Sequence, residues 1–200
     1  MALSVKRTVE ELETAGVAGL TIEDTLLPTP YGSKAVSLIP IAEGVGKMKA
    51  ALLGRQDQRL VVIARTSALS ISGLDDTIAR LKAYQEVGVD MLFMASVKTR
   101  TQLDAVASAV KLPLFLGSAG PELYDLDYLS ARNVRVCLQG HLPFLAAVNA
   151  AYETLKALRD GTPPAQIKTI ASPDLMKLVT RQADYAKWSQ DLLDASLGGG

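Results

Sequence analysis

The polar residues that could carry out chemistry in this sequence stand where short apolar runs end. They are Glu23 with Asp24, Arg65 with Thr66, Ser96, Gly117 with Ser118, and Gln139 with His141. A carboxylate can serve a metal ion or move a proton, and a guanidinium matches a carboxylate through two parallel hydrogen bonds. An imidazole transfers protons near neutral pH. The set favours a site for a substrate that carries a carboxylate.

Each of these residues also has a structural interpretation. Either Glu23 or Asp24 can be the metal-associated or acid–base group, and the other then caps a helix or anchors a loop. Arg65 can hold a substrate carboxylate, or it can form an internal salt bridge with Glu23. His141 is the only histidine, and catalytic and structural roles stay equally open. Cys137 lies inside an apolar run, which predicts a small core side chain.

The elements that must position these residues alternate between helical stripes and β-branched runs, which is typical of an α/β fold with a parallel sheet. Five strands are predicted, at residues 17–23, 60–65, 91–94, 112–116 and 134–138. A closed (β/α)8 barrel needs eight strands and about 250 residues, so five strands predict a partial barrel. An open doubly wound sheet is the alternative, but no glycine-rich phosphate motif follows any strand.

Two further segments stand apart from this alternation. Residues 27–39 are rich in proline, glycine and serine, and such a long loop after a strand is usually functional. Residues 1–160 are predicted to form the partial barrel, and residues 161–200 a proline-rich linker and a C-terminal helix. Within the second segment, Ser172-Pro-Asp174 predicts the start of a helix that continues to Leu192.

Composition excludes several classes of protein. The 21 basic and 21 acidic side chains cancel, so no basic surface is expected to bind nucleic acid. No apolar run reaches the roughly 18 residues of a membrane helix, and no signal sequence follows Met1. Cys137 is the only cysteine, which suits a reducing cytoplasm. We therefore expect a cytoplasmic protein with neither nucleic acid nor membrane as a partner.

Several separated blocks of sequence resemble one enzyme superfamily. They begin with Val5-Lys-Arg-Thr-Val9 and with Leu12 to Asp24, which reads Leu-Glu-Thr-Ala-Gly-Val-Ala-Gly-Leu-Thr-Ile-Glu-Asp. They continue with the blocks Glu43-Gly-Val-Gly-Lys-Met-Lys-Ala-Ala51, Ile63-Ala-Arg-Thr66 and Ala83-Tyr-Gln-Glu-Val-Gly-Val-Asp90. In this order, the blocks resemble the phosphoenolpyruvate mutase/isocitrate lyase superfamily. The resemblance runs from the first residues to about Leu158.

Within that superfamily, Thr25-Leu-Leu-Pro28 and Gly140-His141 look most like the oxaloacetate decarboxylase branch. The lyases of the superfamily carry a loop with lysine, cysteine, glycine and histidine at the position of residues 28–34. Here that loop reads Pro-Thr-Pro-Tyr-Gly-Ser-Lys, without cysteine or histidine. This difference argues against a carbon–carbon lyase and, less firmly, against a phosphonate mutase.

The resemblance implies a (β/α)8 barrel whose last helix is exchanged between subunits of a dimer of dimers. It also implies Mg²⁺ as cofactor and a small α-keto acid as substrate, with oxaloacetate decarboxylated to pyruvate through an enolate. By motif, Arg65 would bind the substrate carboxylate and Glu23 would orient a metal-bound water. His141 would face the carbon that becomes the enolate methylene, as a catalytic and substrate-binding residue.

The direct metal ligands of the superfamily lie in an Asp-x-Asp-x-Gly-Tyr-Gly stretch that would precede Met1. The resemblance therefore implies a chain that lacks the first strands of the barrel and is impaired as a catalyst. A non-catalytic, oligomerising fragment is the alternative to an enzyme, and a lyase or mutase of the same superfamily is a third possibility.

Overall fold

The computed structural model of the protein describes residues 2–28, 31–32, 35–117 and 119–193. Within these ranges the strands are β1 (Gly19–Glu23), β2 (Val61–Thr66), β3 (Met91–Ala95), β4 (Leu114–Gly117) and β5 (Val134–Leu138). The helices are α1 (Ala2–Thr14), α2 (Ile41–Gly54), α3 (Ala68–Ile71), α4 (Leu74–Gln85), α5 (Arg100–Ala109), α6 (Leu126–Ala131), α7 (Leu142–Arg159), α8 (Pro173–Val179) and α9 (Gln182–Leu193). The predicted α/β class is confirmed.

The strands form one parallel sheet in the order β1-β2-β3-β4-β5. A doubly wound sheet reverses its strand order at a switch point, whereas a (β/α)8 barrel adds each strand beside the previous one. The sequential order therefore rules out the doubly wound alternative and matches a segment of a barrel. Among the described strands, β1 and β5 are the two edges of the sheet.

Helices α1 to α6 pack on one face of the sheet. The core cluster there contains Val62 and Ala64 of β2, Leu92 and Met94 of β3, and Leu114 of β4. These residues alternate along their strands, as the two-residue period of a strand requires. The opposite face carries the intervening side chains, so the two faces have different chemical roles.

Two predicted strand starts shift by two residues for local reasons. β1 begins at Gly19, not at residue 17, because Gly16 has a φ of +87° and turns the chain out of α1. β4 begins at Leu114 because the residues before it have no backbone N–H that pairs with a neighbouring strand. Pro113 has no N–H, and the N–H of Leu112 donates to the side chain of Gln85 at 3.1 Å.

The loop that follows β1 is closed at its base by backbone pairing. Thr25 and Leu38 form an isolated antiparallel bridge, and the N–H of Ile39 donates to the carbonyl of Asp24 at 2.9 Å. Residues 29–30 and 33–34 of the predicted functional loop lie outside the described residues. The two arms of the loop are therefore held together directly above the end of β1.

The chain divides into two compact units, residues 1–140 and residues 141–200. The second unit contains α7, α8 and α9, and none of its described residues is buried. Ser172 caps α8 by accepting a hydrogen bond from the N–H of Leu175 at 3.1 Å, as predicted. No helix in the described ranges is long and apolar enough to cross a bilayer.

The prediction of one continuous terminal helix is wrong. α8 ends at Val179 and α9 begins at Gln182, because Arg181 has a φ of +55°. The left-handed conformation interrupts the helical ladder, and the N–H of Arg181 instead donates to the carbonyl of Leu178 at 3.1 Å.

Candidate functional site

The carboxyl ends of β1 and β2 bring Glu23 and Arg65 together. The two residues are register partners, and Arg65 Nε lies 3.5 Å from Glu23 Oε2. The side chain of Glu23 is 31% exposed and that of Arg65 is 34% exposed, so both can meet a ligand. The internal salt bridge that the sequence left open is therefore present, at the edge where parallel barrels carry their chemistry.

The Glu23 carboxylate is held in place by its neighbours. Its Oε1 atom accepts hydrogen bonds from Thr25 Oγ1 at 2.7 Å and from Ser67 Oγ at 3.2 Å. Lys47 donates to the backbone carbonyl of the same residue. Two hydroxyl donors on one oxygen fix the orientation of the carboxylate and leave Oε2 facing Arg65.

Arg65 is less completely satisfied than Glu23. Its Nε atom is buried and has no hydrogen-bond partner among the described residues. The 3.5 Å approach to Glu23 is thus an ion pair without hydrogen-bond geometry. A buried guanidinium N–H without an acceptor is costly, whereas the exposed part of the guanidinium remains open to a carboxylate.

Of the two adjacent carboxylates, Asp24 is the one with a structural role. It is fully buried, and its Oδ2 atom accepts from Arg80 Nη1 at 3.1 Å and from Tyr84 OH at 2.8 Å. Arg80 also donates to the carbonyl of Ile39 at 2.9 Å, so it ties both arms of the loop to α4. Asp24 is therefore the loop anchor, which leaves Glu23 as the acidic residue available to a ligand.

Burial and neighbouring groups in this network shift the pKa values of Tyr84 and Arg80. Burial raises the pKa of Tyr84, and the neighbouring Asp24 carboxylate raises it further. Burial alone would lower the pKa of Arg80, but its hydrogen bond with Asp76 and the nearby Tyr84 and Asp24 outweigh burial and raise it. The network thus keeps Tyr84 as a donor and Arg80 as a cation over a wide range of pH.

The other predicted residues at this edge have varied surroundings. Thr66 is buried, and its hydroxyl accepts from the N–H of Ala68, the first residue of α3, at 3.2 Å. Ser96 has a φ of +65°, a conformation uncommon outside glycine, and its N–H donates to the carbonyl of Gly117 at 2.8 Å. Ser118 lies outside the described residues.

Gln139 follows β5, and His141 is the residue before α7. His141 is exposed, and its side chain makes no capping hydrogen bond to that helix. It opens the second compact unit of the chain. Its predicted catalytic and substrate-binding role stays a prediction.

Sequence reasoning missed four residues that shape the site: Arg80, Tyr84, Phe93 and Phe115. Tyr84 is fully buried, and its hydroxyl donates to Asp24. Phe93 and Phe115 stack with ring centroids 4.4 Å apart. Their positions in apolar strands carried no signal that distinguished them from core residues.

A metal site would draw on the carboxylates at this edge. No group of three or more histidine, cysteine, aspartate or glutamate side chains arranged to hold a metal occurs within the described part of the chain. Glu23 has the oxygen chemistry that Mg²⁺ prefers, and its fixed orientation suits a role through a metal-bound water. The described residues therefore fit an outer contact to Mg²⁺ and do not provide a complete set of direct ligands.

Comparison with known proteins agrees with this geometry. The phosphoenolpyruvate phosphomutase family matches residues 2–159. An oxaloacetate decarboxylase of Bradyrhizobium sp. (strain ORS 278) is 55% identical over 192 residues, which cover 96% of this chain and 67% of that protein. One of Rhodopseudomonas palustris (strain BisB5) is 56% identical over 180 residues, covering 90% of this chain and 62% of that protein. The chain thus spans about two thirds of the length of these relatives.

Solved structures extend the likeness. Phosphonopyruvate hydrolase in complex with oxalate and Mg²⁺ has a TM-score of 0.76 and 28% identity, covering 96% of this chain and 69% of that one. Oxaloacetate acetylhydrolase with the inhibitor 3,3-difluorooxalacetate also has a TM-score of 0.76, with 27% identity over all of this chain and 67% of that one. The chain belongs to the phosphoenolpyruvate phosphomutase family, among the carboxy-lyase enzymes on the oxaloacetate decarboxylase branch of the phosphoenolpyruvate mutase/isocitrate lyase superfamily.

Proposed function

We propose that the protein decarboxylates oxaloacetate, or a close α-keto diacid, to pyruvate and CO₂ with Mg²⁺ as cofactor. The observation that carries the proposal is the Arg65 guanidinium, which is partly exposed beside Glu23 at the carboxyl edge of the sheet. Identity of 55% to an oxaloacetate decarboxylase supports the choice of substrate. Likeness to a hydrolase solved with oxalate and Mg²⁺ supports the choice of metal.

The reaction needs stabilisation of negative charge. When oxaloacetate loses CO₂, the electron pair of the broken bond remains on the methylene carbon and is delocalised as the enolate of pyruvate. Mg²⁺ supplies Lewis-acid stabilisation of such a charge when it is bound. Protonation of the methylene carbon then yields pyruvate.

Three residues of this chain would bind the substrate, orient a water and move a proton. Arg65 would bind the substrate carboxylate through parallel N–H donors of its guanidinium, since the side chain is 34% exposed. Glu23 would orient a water of the metal through its fixed carboxylate. His141 would polarise the departing carboxylate or deliver the proton, because imidazole exchanges protons near neutral pH.

The test is oxaloacetate loss and pyruvate formation, with and without MgCl₂. Mg²⁺ alone promotes some oxaloacetate decarboxylation, so the protein-free rate must be subtracted. We expect slow turnover that EDTA abolishes, because the described residues supply only an outer contact to Mg²⁺. In Arg65→Lys the charge remains but the paired donors are lost, so KM should rise on the order of tenfold. In His141→Gln, kcat should fall about a hundredfold.

The outcome that contradicts the proposal is an oxaloacetate loss equal to the protein-free rate at saturating Mg²⁺. Unchanged kcat in His141→Gln would return that residue to a structural role without affecting the assignment of Arg65. Because His141 is exposed, its substitution should leave the circular dichroism spectrum and the unfolding midpoint unchanged.

The proposal extends to assembly and location. We infer a homo-oligomer, a dimer of dimers in which the C-terminal helices are exchanged between subunits. Apolar side chains along α7 to α9 support it, since Phe144, Leu155, Leu178 and Leu192 are between 67% and 74% exposed. A cytoplasmic location is supported by the free thiol of Cys137.

A further inference from the structure

We propose that Phe93 is a positioning residue for substrate binding, which holds the Arg65 guanidinium in place through the face of its ring. The inference rests on the proposed role of Arg65 as the carboxylate-binding residue. Arg65 Cζ lies 4.9 Å from the centroid of the Phe93 ring, within the range of a cation–π interaction.

The sheet register makes this contact specific. Glu23, Arg65, Phe93 and Phe115 are successive register partners on β1 to β4. Register partners in a parallel sheet lie on the same face, and this is the face opposite the helical core. The four side chains therefore form a row across the sheet, with Phe93 between the guanidinium and the second ring.

The Phe93 ring is fixed from two further directions. Phe115 stacks against it with an interplanar angle of 7° and centroids 4.4 Å apart. A Cβ atom at Gly117 would lie 2.6 Å from Phe93 Cε2 and 2.7 Å from its Cζ, so the ring fills the space that a side chain there would take. Phe93 is only 5% exposed, and its ring has little freedom to move away.

The contact with Phe93 stabilises the Arg65 cation without occupying its N–H donors. A carboxylate partner would occupy N–H groups of Arg65, whereas an aromatic face attracts the guanidinium through its quadrupole. The Nε of Arg65 indeed has no hydrogen bond within the described ranges. Phe93 therefore holds Arg65 while leaving its N–H groups for a substrate carboxylate, which is the arrangement that reduces the entropy lost on binding.

The experiment compares Phe93→Leu with a matched control, Tyr128→Leu. The Cζ atoms of Arg100 and Arg132 lie 4.2 and 3.8 Å from the centroid of the Tyr128 ring, so the control also loses aromatic contacts with arginine. Oxalate affinity is measured by calorimetry in MgCl₂, and KM and kcat for oxaloacetate by turnover. We expect Phe93→Leu to raise the oxalate Kd and KM about tenfold, with kcat within roughly twofold of wild type. Tyr128→Leu should leave all three unchanged.

Two milder variants keep the test decisive if Phe93→Leu folds poorly. Phe115→Leu removes the ring behind Phe93 and should raise the oxalate Kd by about threefold. Gly117→Ala leaves Phe93 in the chain but displaces its ring, and should weaken oxalate binding as Phe93→Leu does. Circular dichroism and unfolding midpoints identify the variants that are folded and can be compared.

The inference is overturned if folded Phe93→Leu or Phe115→Leu binds oxalate as wild type does while Arg65→Lys binds it more weakly. That result would leave the proposed function intact. Conversely, tight oxalate binding by the wild-type protein without oxaloacetate turnover would reject the proposed function, and the effect of Phe93 on oxalate binding would still stand. No oxalate binding by the wild-type protein would reject the positioning role itself.

Discussion

At the scale of single residues, two adjacent carboxylates have different roles because they point to opposite sides of the chain. Glu23 shares its face with Arg65, whereas Asp24 is buried against Arg80 and Tyr84 of α4. Alternation along the chain thus separates an acid that faces Arg65 from an anchoring acid within one dipeptide. The polar network around Asp24 holds the base of the loop that continues from Glu23.

Removing one donor from this network should be costly. In Tyr84→Phe, Asp24 loses the 2.8 Å hydrogen bond from the phenol, so unfolding free energy at pH 8 should fall by about 1.5–3 kcal/mol. Urea unfolding followed by circular dichroism measures this. The control is Tyr152→Phe in α7, where the tyrosine is 61% exposed and little change is expected. An unchanged midpoint in Tyr84→Phe would contradict the anchoring role.

The stability difference between the wild-type protein and Tyr84→Phe should also depend on pH. The pKa of Tyr84 is raised by burial and by Asp24, so the folded state retains the proton that the unfolded chain releases near pH 10. The stabilisation is therefore complete below pH 10 and is lost as pH rises from there towards the raised pKa. The stability difference between wild type and Tyr84→Phe should shrink between pH 9 and pH 11. A difference that grows over this interval would show that the sign is wrong.

At the scale of elements, α2 carries three glycines, and the surroundings of Gly44 and Gly46 differ. A Cβ at Gly44 would lie 2.3 Å from Tyr84 OH, whereas a Cβ at Gly46 would meet nothing within 4 Å. Helix α2 therefore approaches α4 closely at Gly44 because that residue has no side chain. Since Tyr84 is rigid and fully buried, it has no room to yield.

Alanine substitutions at these two positions should have opposite effects. Gly46→Ala should stabilise the protein by up to about 1 kcal/mol, because alanine restricts the unfolded chain and favours the helix. Gly44→Ala should destabilise it by about 1–3 kcal/mol, because the added methyl group displaces Tyr84. Chemical unfolding of both variants tests the pair, and stabilisation by Gly44→Ala would show that α2 and α4 are not closely packed there.

At the scale of the whole molecule, the second unit exposes an apolar surface that a partner subunit can cover. The prediction is a solution mass that is a multiple of 21.3 kDa by light scattering after size exclusion. Leu178→Asp places a charge on this surface in α8 and should shift the mass towards a monomer. Lys187→Asp, an exposed polar position in α9, is the control and should not. A monomeric mass for the wild-type protein at micromolar concentration would contradict the proposed assembly.

The sequence by itself determined the parts of this protein that depend on local pattern. The strand at residues 134–138 was predicted with its observed bounds, and Ser172 caps α8 as its motif indicates. The salt bridge between Glu23 and Arg65 was one of the two interpretations that the sequence offered for Arg65, and it is present. Such features follow from hydrophobic periodicity and from residues a few positions away, so the local sequence is enough to predict them.

Only the tertiary structure decided how the site is supported. Asp24 is bound by side chains 56 and 60 residues further along, and nothing local in the sequence distinguishes Arg80 or Tyr84 as its partners. Phe93 has the composition of any buried strand residue, and its contact with Arg65 arises from the register of β2 and β3. Side chains in a sheet acquire their neighbours from pairing between distant segments, so their roles are settled when the strands align.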